Sequence, residues 1–241
     1  MIDCSIVIPY RPDTPQREAI YRWCRRYWQA RGYTVVTGRC LAGPWIKAKA
    51  VAAAMARVKT PWVAVADADI LISDLEWACY GLEREGRRWA VPHWMVYRLR
   101  SDATALLLEV PPETEYPMAG IGLHFADLPY PGHIGGGLVV LQTDDYYQVP
   151  LDPRFEGWGH EDDAWGMALQ VLLGPPWRGD APLYHLWHPP QARPSRAYGS
   201  EASQALYAQY RQARRDREQF RALVPVLNRR SKPGDVAPDA G

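Results

Sequence analysis

The chain has 241 residues, enough for one α/β domain with a well-buried core or at most two small ones. An apolar fraction of 47%, a charged fraction of 23% and a formal net charge of +1 describe an ordinary globular chain, so whole-chain electrostatics name no partner. The opening Met1-Ile2-Asp3-Cys4 carries no basic leader and no apolar run approaches the roughly 20 residues that span a bilayer, so a cytoplasmic location without a transmembrane segment is expected.

Residues 5–8 predict a short buried strand ending at Pro9, and residues 16–31 carry apolar positions at helical spacing, closed by Gly32. Residues 34–36 predict a second strand, 46–58 an Ala-rich helix, and 62–66 a third strand running straight into Asp67. Such βαβαβ alternation builds a Rossmann-like, mostly parallel central sheet flanked by helices, with ligands collecting beyond the carboxyl ends of the strands. From about Trp89 the pattern loosens; Pro111, Pro112, Pro117, Pro129 and Pro131 read as loop punctuation. Order returns with Gly135-Gly136-Gly137, a strand over 138–141, a helix over 161–173, a strand over 183–186 and one last helix over about 200–223. The tail 228–241, rich in Pro, Gly and charge, is expected to fray.

Three clusters carry chemistry. Asp67-Ala68-Asp69 places two carboxylates about a small residue at a strand end, where oxygen ligands suit Mn²⁺ or Mg²⁺; surface turns also produce this pattern. Gly157-Trp158-Gly159 precedes His160-Glu161-Asp162-Asp163. The acids alone would serve as a helix start, but glycines bracketing an indole let backbone and ring approach a ligand together. In Tyr184-His185-Leu186-Trp187-His188, two histidines three residues apart are candidate metal ligands or phosphate contacts. Zinc is disfavoured, because no further Cys or His has a zinc-site spacing. Cys4, Cys24, Cys40 and Cys79 form no CxxC pair and are expected to be reduced. The 11 tryptophans suit a cleft that stacks on bases and sugars, or simply a core.

In this order the clusters resemble the inverting glycosyltransferases of the glycosyltransferase A fold, in particular family 2 and the β-1,4-galactosyltransferase and chondroitin-synthase group. The resemblance runs from about Ser5 to His188. It implies a nucleotide site at Pro9, Tyr10, Arg11, Lys47, Asp67 and Ala68, and a metal held by Asp67, Asp69 and His185, with His188 as the fallback. It implies Asp162 as catalytic base, Glu161 as a binder of sugar or acceptor hydroxyls, and Gly136 and Trp158 on the sugar and acceptor side. The implied domain covers 1–200, with a nucleotide-sugar half over about 1–92 and an acceptor half over about 93–200, followed by a C-terminal helix and flexible basic tail over 201–241. The donor implied is a UDP-sugar. A glycan, a protein, a lipid-linked sugar and a hydroxymethylated pyrimidine of phage DNA are all open as the hydroxyl acceptor.

Two rivals are weighed against this. A nucleotidyltransferase would carry a Gly-rich basic loop after the first strand, which Pro9-Tyr10-Arg11-Pro12-Asp13 is not. A non-catalytic carbohydrate-binding module has no use for both acidic clusters. Arg211, Arg214, Arg215, Arg217, Arg221, Arg229, Arg230 and Lys232 make the C-terminal segment basic, by default a solvated face, otherwise a contact for nucleic acid or an anionic surface.

Overall fold

A computed structural model describes residues 2–72, 75–114, 130–189 and 199–227. Pro117, Pro129, the expected frayed tail and the cations Arg229, Arg230 and Lys232 lie outside the described residues.

The chain runs β1 (Cys4–Pro9), α1 (Pro15–Ala30), β2 (Thr34–Gly38), α2 (Lys47–Met55), β3 (Trp62–Ala66) and β4 (Ile70–Ile72). It continues α3 (Glu76–Glu85), β5 (Trp89–Arg98), α4 (Ser101–Glu109), β6 (Tyr130–Pro131), β7 (Leu138–Gln142) and α5 (Thr143–Gln148). Then come α6 (Glu161–Leu173), β8 (Trp177–His185), α7 (Glu201–Ala213) and α8 (Arg217–Leu223). One sheet has the order β2-β1-β3-β7-β5-β8-β4, with β6 on β5. β1, β2, β3, β5 and β8 share one direction, while β4, β6 and β7 oppose them. The expected mostly parallel sheet is therefore present, with a reversed strand, β7, in its middle.

Period-two alternation buries both faces of this sheet. Ile6, Ile8, Ala64 and Ala66 face a core built with α1, α3 and α4, whereas Val7, Val63 and Val65 face one built with α2, α5, α6, α7 and α8. The ends of α1 are made by local contacts. Thr14 Oγ1 accepts from the Arg17 amide, Pro15 opens the first turn, and Gly32 at φ 80° lets the chain leave.

Two expectations are corrected. The stretch from Trp89, expected as loop, holds β5 and α4; Pro92 cannot donate to the ladder, and the register of β5 on β8 shifts on both sides of His93. The single helix expected over 200–223 breaks at Arg214, because the Asp216 side chain accepts from the Glu218 and Gln219 amides, both at 3.0 Å, and starts α8. The pair α7–α8 is docked rather than free: Tyr210 is buried and its hydroxyl donates to Asp152 Oδ2 at 2.8 Å. Asp152 also pairs with Arg154, so this anchor lies just ahead of the Gly-Trp-Gly segment.

Candidate active site

The carboxyl ends of β1, β3 and β8 meet the amino ends of α2 and α6 around one cleft of about 430 Å³. It is lined by Pro9, Tyr10, Arg11, Lys47, Asp67, Ala68, Asp69, Trp158, Glu161, Asp162, His185 and His188, which are all the residues to which the resemblance gives a site role except Gly136.

At its floor, the turn after β3 leads into β4, whose Ile70 pairs with His185 of β8. The Leu186 amide donates to the Asp69 carbonyl at 2.8 Å, fixing the two segments side by side. As a result His185 Nε2 lies 3.6 Å from Asp69 Oδ1 and His188 Nε2 3.1 Å from Asp69 Oδ2. One ligand atom from each of Asp69, His185 and His188 falls within 4.8 Å of the others. Burial would raise the Asp69 pKa, but the two imidazoles outweigh it and hold the carboxyl well below its usual range. The hydrogen bond to Asp69 raises the His188 pKa. One carboxylate and two imidazoles form a mixed set that fits a borderline divalent cation such as Mn²⁺ better than Mg²⁺, which favours oxygen alone. Both the favoured His185 and the fallback His188 join the cluster.

Asp67 is engaged differently. Its Oδ1 accepts from Lys47 Nζ at 2.7 Å and its Oδ2 from the Gly137 amide at 3.2 Å. Gly137, at φ 72°, takes the left-handed turn that delivers this amide. The same Lys47 Nζ also donates to Asp162 Oδ1 at 2.7 Å, joining the first acidic cluster to the second. Flanking carboxylates hold the buried Lys47 well above its usual pKa, against the pull of burial.

The three acids that open α6 find three different partners, as residues turning about 100° apart must. Glu161 Oε2 accepts from the Gly159 amide at 2.8 Å, Asp162 takes Lys47, and Asp163 Oδ1 pairs with His133 Nδ1 at 2.9 Å. Burial, with Glu161 and Asp67 nearby, pushes Asp162 up to about 7 despite Lys47. Burial likewise raises Glu161. Gly135 and Gly166 let the loop before β7 touch α6: a Cβ on Gly135 would lie 2.0 Å from the Asp162 carbonyl oxygen. Gly136 lies against Asp162 itself, a Cβ there falling 3.4 Å from Asp162 Oδ2. Trp158 is 39% exposed at the cleft wall. The Gly157 amide donates to the Trp45 carbonyl at 2.7 Å, tying this corner to the approach to α2.

On the β1 side, Tyr10 is buried, stacked on Tyr21 with centroids 3.9 Å apart, and its hydroxyl donates to Glu18 Oε2 at 2.7 Å. Arg11 Nη2 donates to the Gly43 carbonyl at 2.8 Å and also to that of Leu41, so it braces the loop before α2. Sequence reasoning missed several lining residues. Arg98 closes the unrecognised β5 and Leu99 follows it, Arg17 looks like an ordinary helix-surface cation, and Trp45 and Trp187 stand beside singled-out residues without a site role of their own.

No family model matches the chain, and no curated protein matches it. Solved structures do. GalNAc-T7, in a structure with UDP, GalNAc and Mn²⁺, matches at TM-score 0.52 and 11% identity over 88% of this chain. This chain spans 48% of that one, about half its length. The catalytic domain of Drosophila β1,4-galactosyltransferase 7, in complex with xylobiose, matches at TM-score 0.46 and 10% identity, over 90% of this chain and 81% of that one. Glucosyl-3-phosphoglycerate synthase of M. tuberculosis matches at 0.45 and 14%, over 88% and 80%. Likeness at 11% identity is likeness of architecture, and by its superposition on GalNAc-T7 the chain has the glycosyltransferase A fold.

Proposed function

We propose that the protein is a metal-dependent glycosyltransferase that moves a sugar from a UDP-sugar to a hydroxyl acceptor, inverting the anomeric carbon. The observation that carries this reading is one cleft, at the carboxyl ends of β1, β3 and β8, holding both the Asp69–His185–His188 cluster and Asp162. Asp69, His185 and His188 would hold the ion, Mn²⁺ in preference to Mg²⁺, and its chemistry is to neutralise the departing diphosphate. The GalNAc-T7 structure, which shares the fold, holds UDP and Mn²⁺, and this supports the choice of donor and ion.

The chain's own residues supply the rest. Pro9, Tyr10, Arg11 and Ala68 line the side assigned to the nucleotide, and Trp158 offers the sugar an aromatic face. Glu161, held by the Gly159 amide, presents its other oxygen to sugar or acceptor hydroxyls. Asp162 takes the proton of the acceptor hydroxyl. The freed oxygen forms its bond to the anomeric carbon as the bond from that carbon to the diphosphate breaks, and UDP leaves with the bonding pair. A carboxyl at about 7 is half ionised at neutral pH yet basic enough for this role.

The test is nucleotide release from UDP-, GDP-, CDP- and dTDP-sugars with Mn²⁺, Mg²⁺, Zn²⁺ or EDTA. UDP release that requires Mn²⁺ is expected, with a β product from an α-linked donor. Full turnover in EDTA defeats the metal assignment, pyrophosphate release points to a nucleotidyltransferase, and an α product defeats inversion.

A further inference from the structure

A second groove, of about 610 Å³, lies on the other side of the α6 amino end and plays no part in the chemistry above. His133, Asp163, Gln170, Tyr207, Arg214 and Arg215 line it. It adjoins the catalytic corner, since Asp163 faces this groove and Asp162 faces the cleft. Gly136 stands between the two walls: a Cβ there would lie 3.4 Å from Asp162 Oδ2 and 3.6 Å from His133 Cβ.

The groove is basic. Of the C-terminal arginines, Arg217 donates to the Val171 and Leu172 carbonyls and Arg221 to those of Gln148 and Pro225. Arg211, Arg214 and Arg215 make no hydrogen bond or ion pair among the described residues, and all three also line an adjoining cavity of about 320 Å³. Asp163, the only carboxylate among the described residues lining the groove, is matched by His133 at 2.9 Å.

We propose that this groove is the acceptor subsite and takes an acidic saccharide, whose carboxylate, sulfate or phosphate group lies against Arg214 and Arg215 while its reacting hydroxyl reaches Asp162. The inference rests on the glycosyltransferase reading and adds its substrate class. Guanidinium groups suit such oxyanions in geometry as well as charge. A polynucleotide would require a longer basic track than the two arginines that line this groove. Tyr207 is already stacked on His160, with centroids 4.4 Å apart, which leaves that face closed to a base.

The experiment is a glycan array of neutral saccharides and their uronic-acid, sulfated and phosphorylated counterparts, with a single-stranded oligonucleotide beside them. The wild-type chain is compared with Arg214→Glu/Arg215→Glu and Arg214→Lys/Arg215→Lys, each checked for an unchanged melting temperature. We expect acidic glycans to be retained, about tenfold weaker binding after charge reversal, and recovery with lysine. The arms that bind show which oxyanion is read. Equal binding of neutral glycans, no binding of any acidic glycan, indifference to charge reversal, or preference for the oligonucleotide each overturns the proposal. Calorimetry with UDP and Mn²⁺ separates the two levels: UDP binding together with a failed array removes only the subsite, whereas absence of UDP binding removes the transferase reading and the subsite with it.

Discussion

Replacing Lys47 by methionine should move the pH at which Asp162 becomes an effective base. The side chain keeps its length and loses its charge. In the wild type, Nζ lies 2.7 Å from an oxygen of Asp67 and 2.7 Å from one of Asp162, so those oxygens are at most about 5.4 Å apart. With an effective dielectric of about 20, the attraction lost to Asp162 is on the order of 6 kcal/mol. Solvent and neighbouring groups relax around the lost charge, so the shift of a carboxylate that loses an adjacent cation is smaller, about 1–3 pKa units. The upward push on Asp162 is then about 2 pKa units. A base must be deprotonated, so activity rises with pH through the Asp162 pKa of about 7, and the variant's rise should begin about 2 units higher. The assay is UDP release, read as kcat/KM across neutral and alkaline pH for both proteins. The variant should lose about fiftyfold at neutral pH and recover most of it in alkali. A profile lowered uniformly, with its acid limb unmoved, would refute the reasoning and leave Lys47 a binding residue.

Asp162→Asn, which keeps the shape and removes the basicity, should lower transfer by about 10² or more while UDP binding in calorimetry stays near normal. Asp69→Ala should abolish turnover and the Mn²⁺-dependent part of UDP binding, and unchanged calorimetry in Mn²⁺ would count against the cluster. Stability carries its own signature of Asp162. Its folded pKa is raised from 3.8 to about 7, so the stabilisation it gives is complete below 3.8 and is lost as pH climbs to about 7, a decline that urea midpoints should show in the wild type and not in Asp162→Asn. Tyr210→Phe removes one hydrogen bond from the buried Asp152, which Arg154 still holds, and should cost about 1 kcal/mol, or roughly 2–4 °C in melting temperature.

What the sequence disclosed and what it hid follow from how far apart the interacting residues lie along the chain. β1, β3 and β7 are short apolar runs with clear ends, and the Gly32 stop of α1 is local, so these elements were legible. β5 was not, because Pro92 and the bulges around His93 break its alternation, and with it went Arg98 and Leu99 of the cleft wall. The reversal of β7 is set by its partners β3 and β5, which no local pattern encodes. The site divides the same way. Asp67, Asp69 and the three acids at the start of α6 announce themselves by spacing, whereas the bond from Lys47 to Asp162 spans 115 positions. The resemblance marks Lys47 as a nucleotide contact, but no local pattern around it points to Asp162. The consequence is chemical. Read as strings, the two acidic motifs are separate devices, one for a metal and one for a proton. Lys47 makes them one electrostatic unit, because a single ammonium group is shared by the carboxylates of Asp67 at the end of β3 and Asp162 on α6.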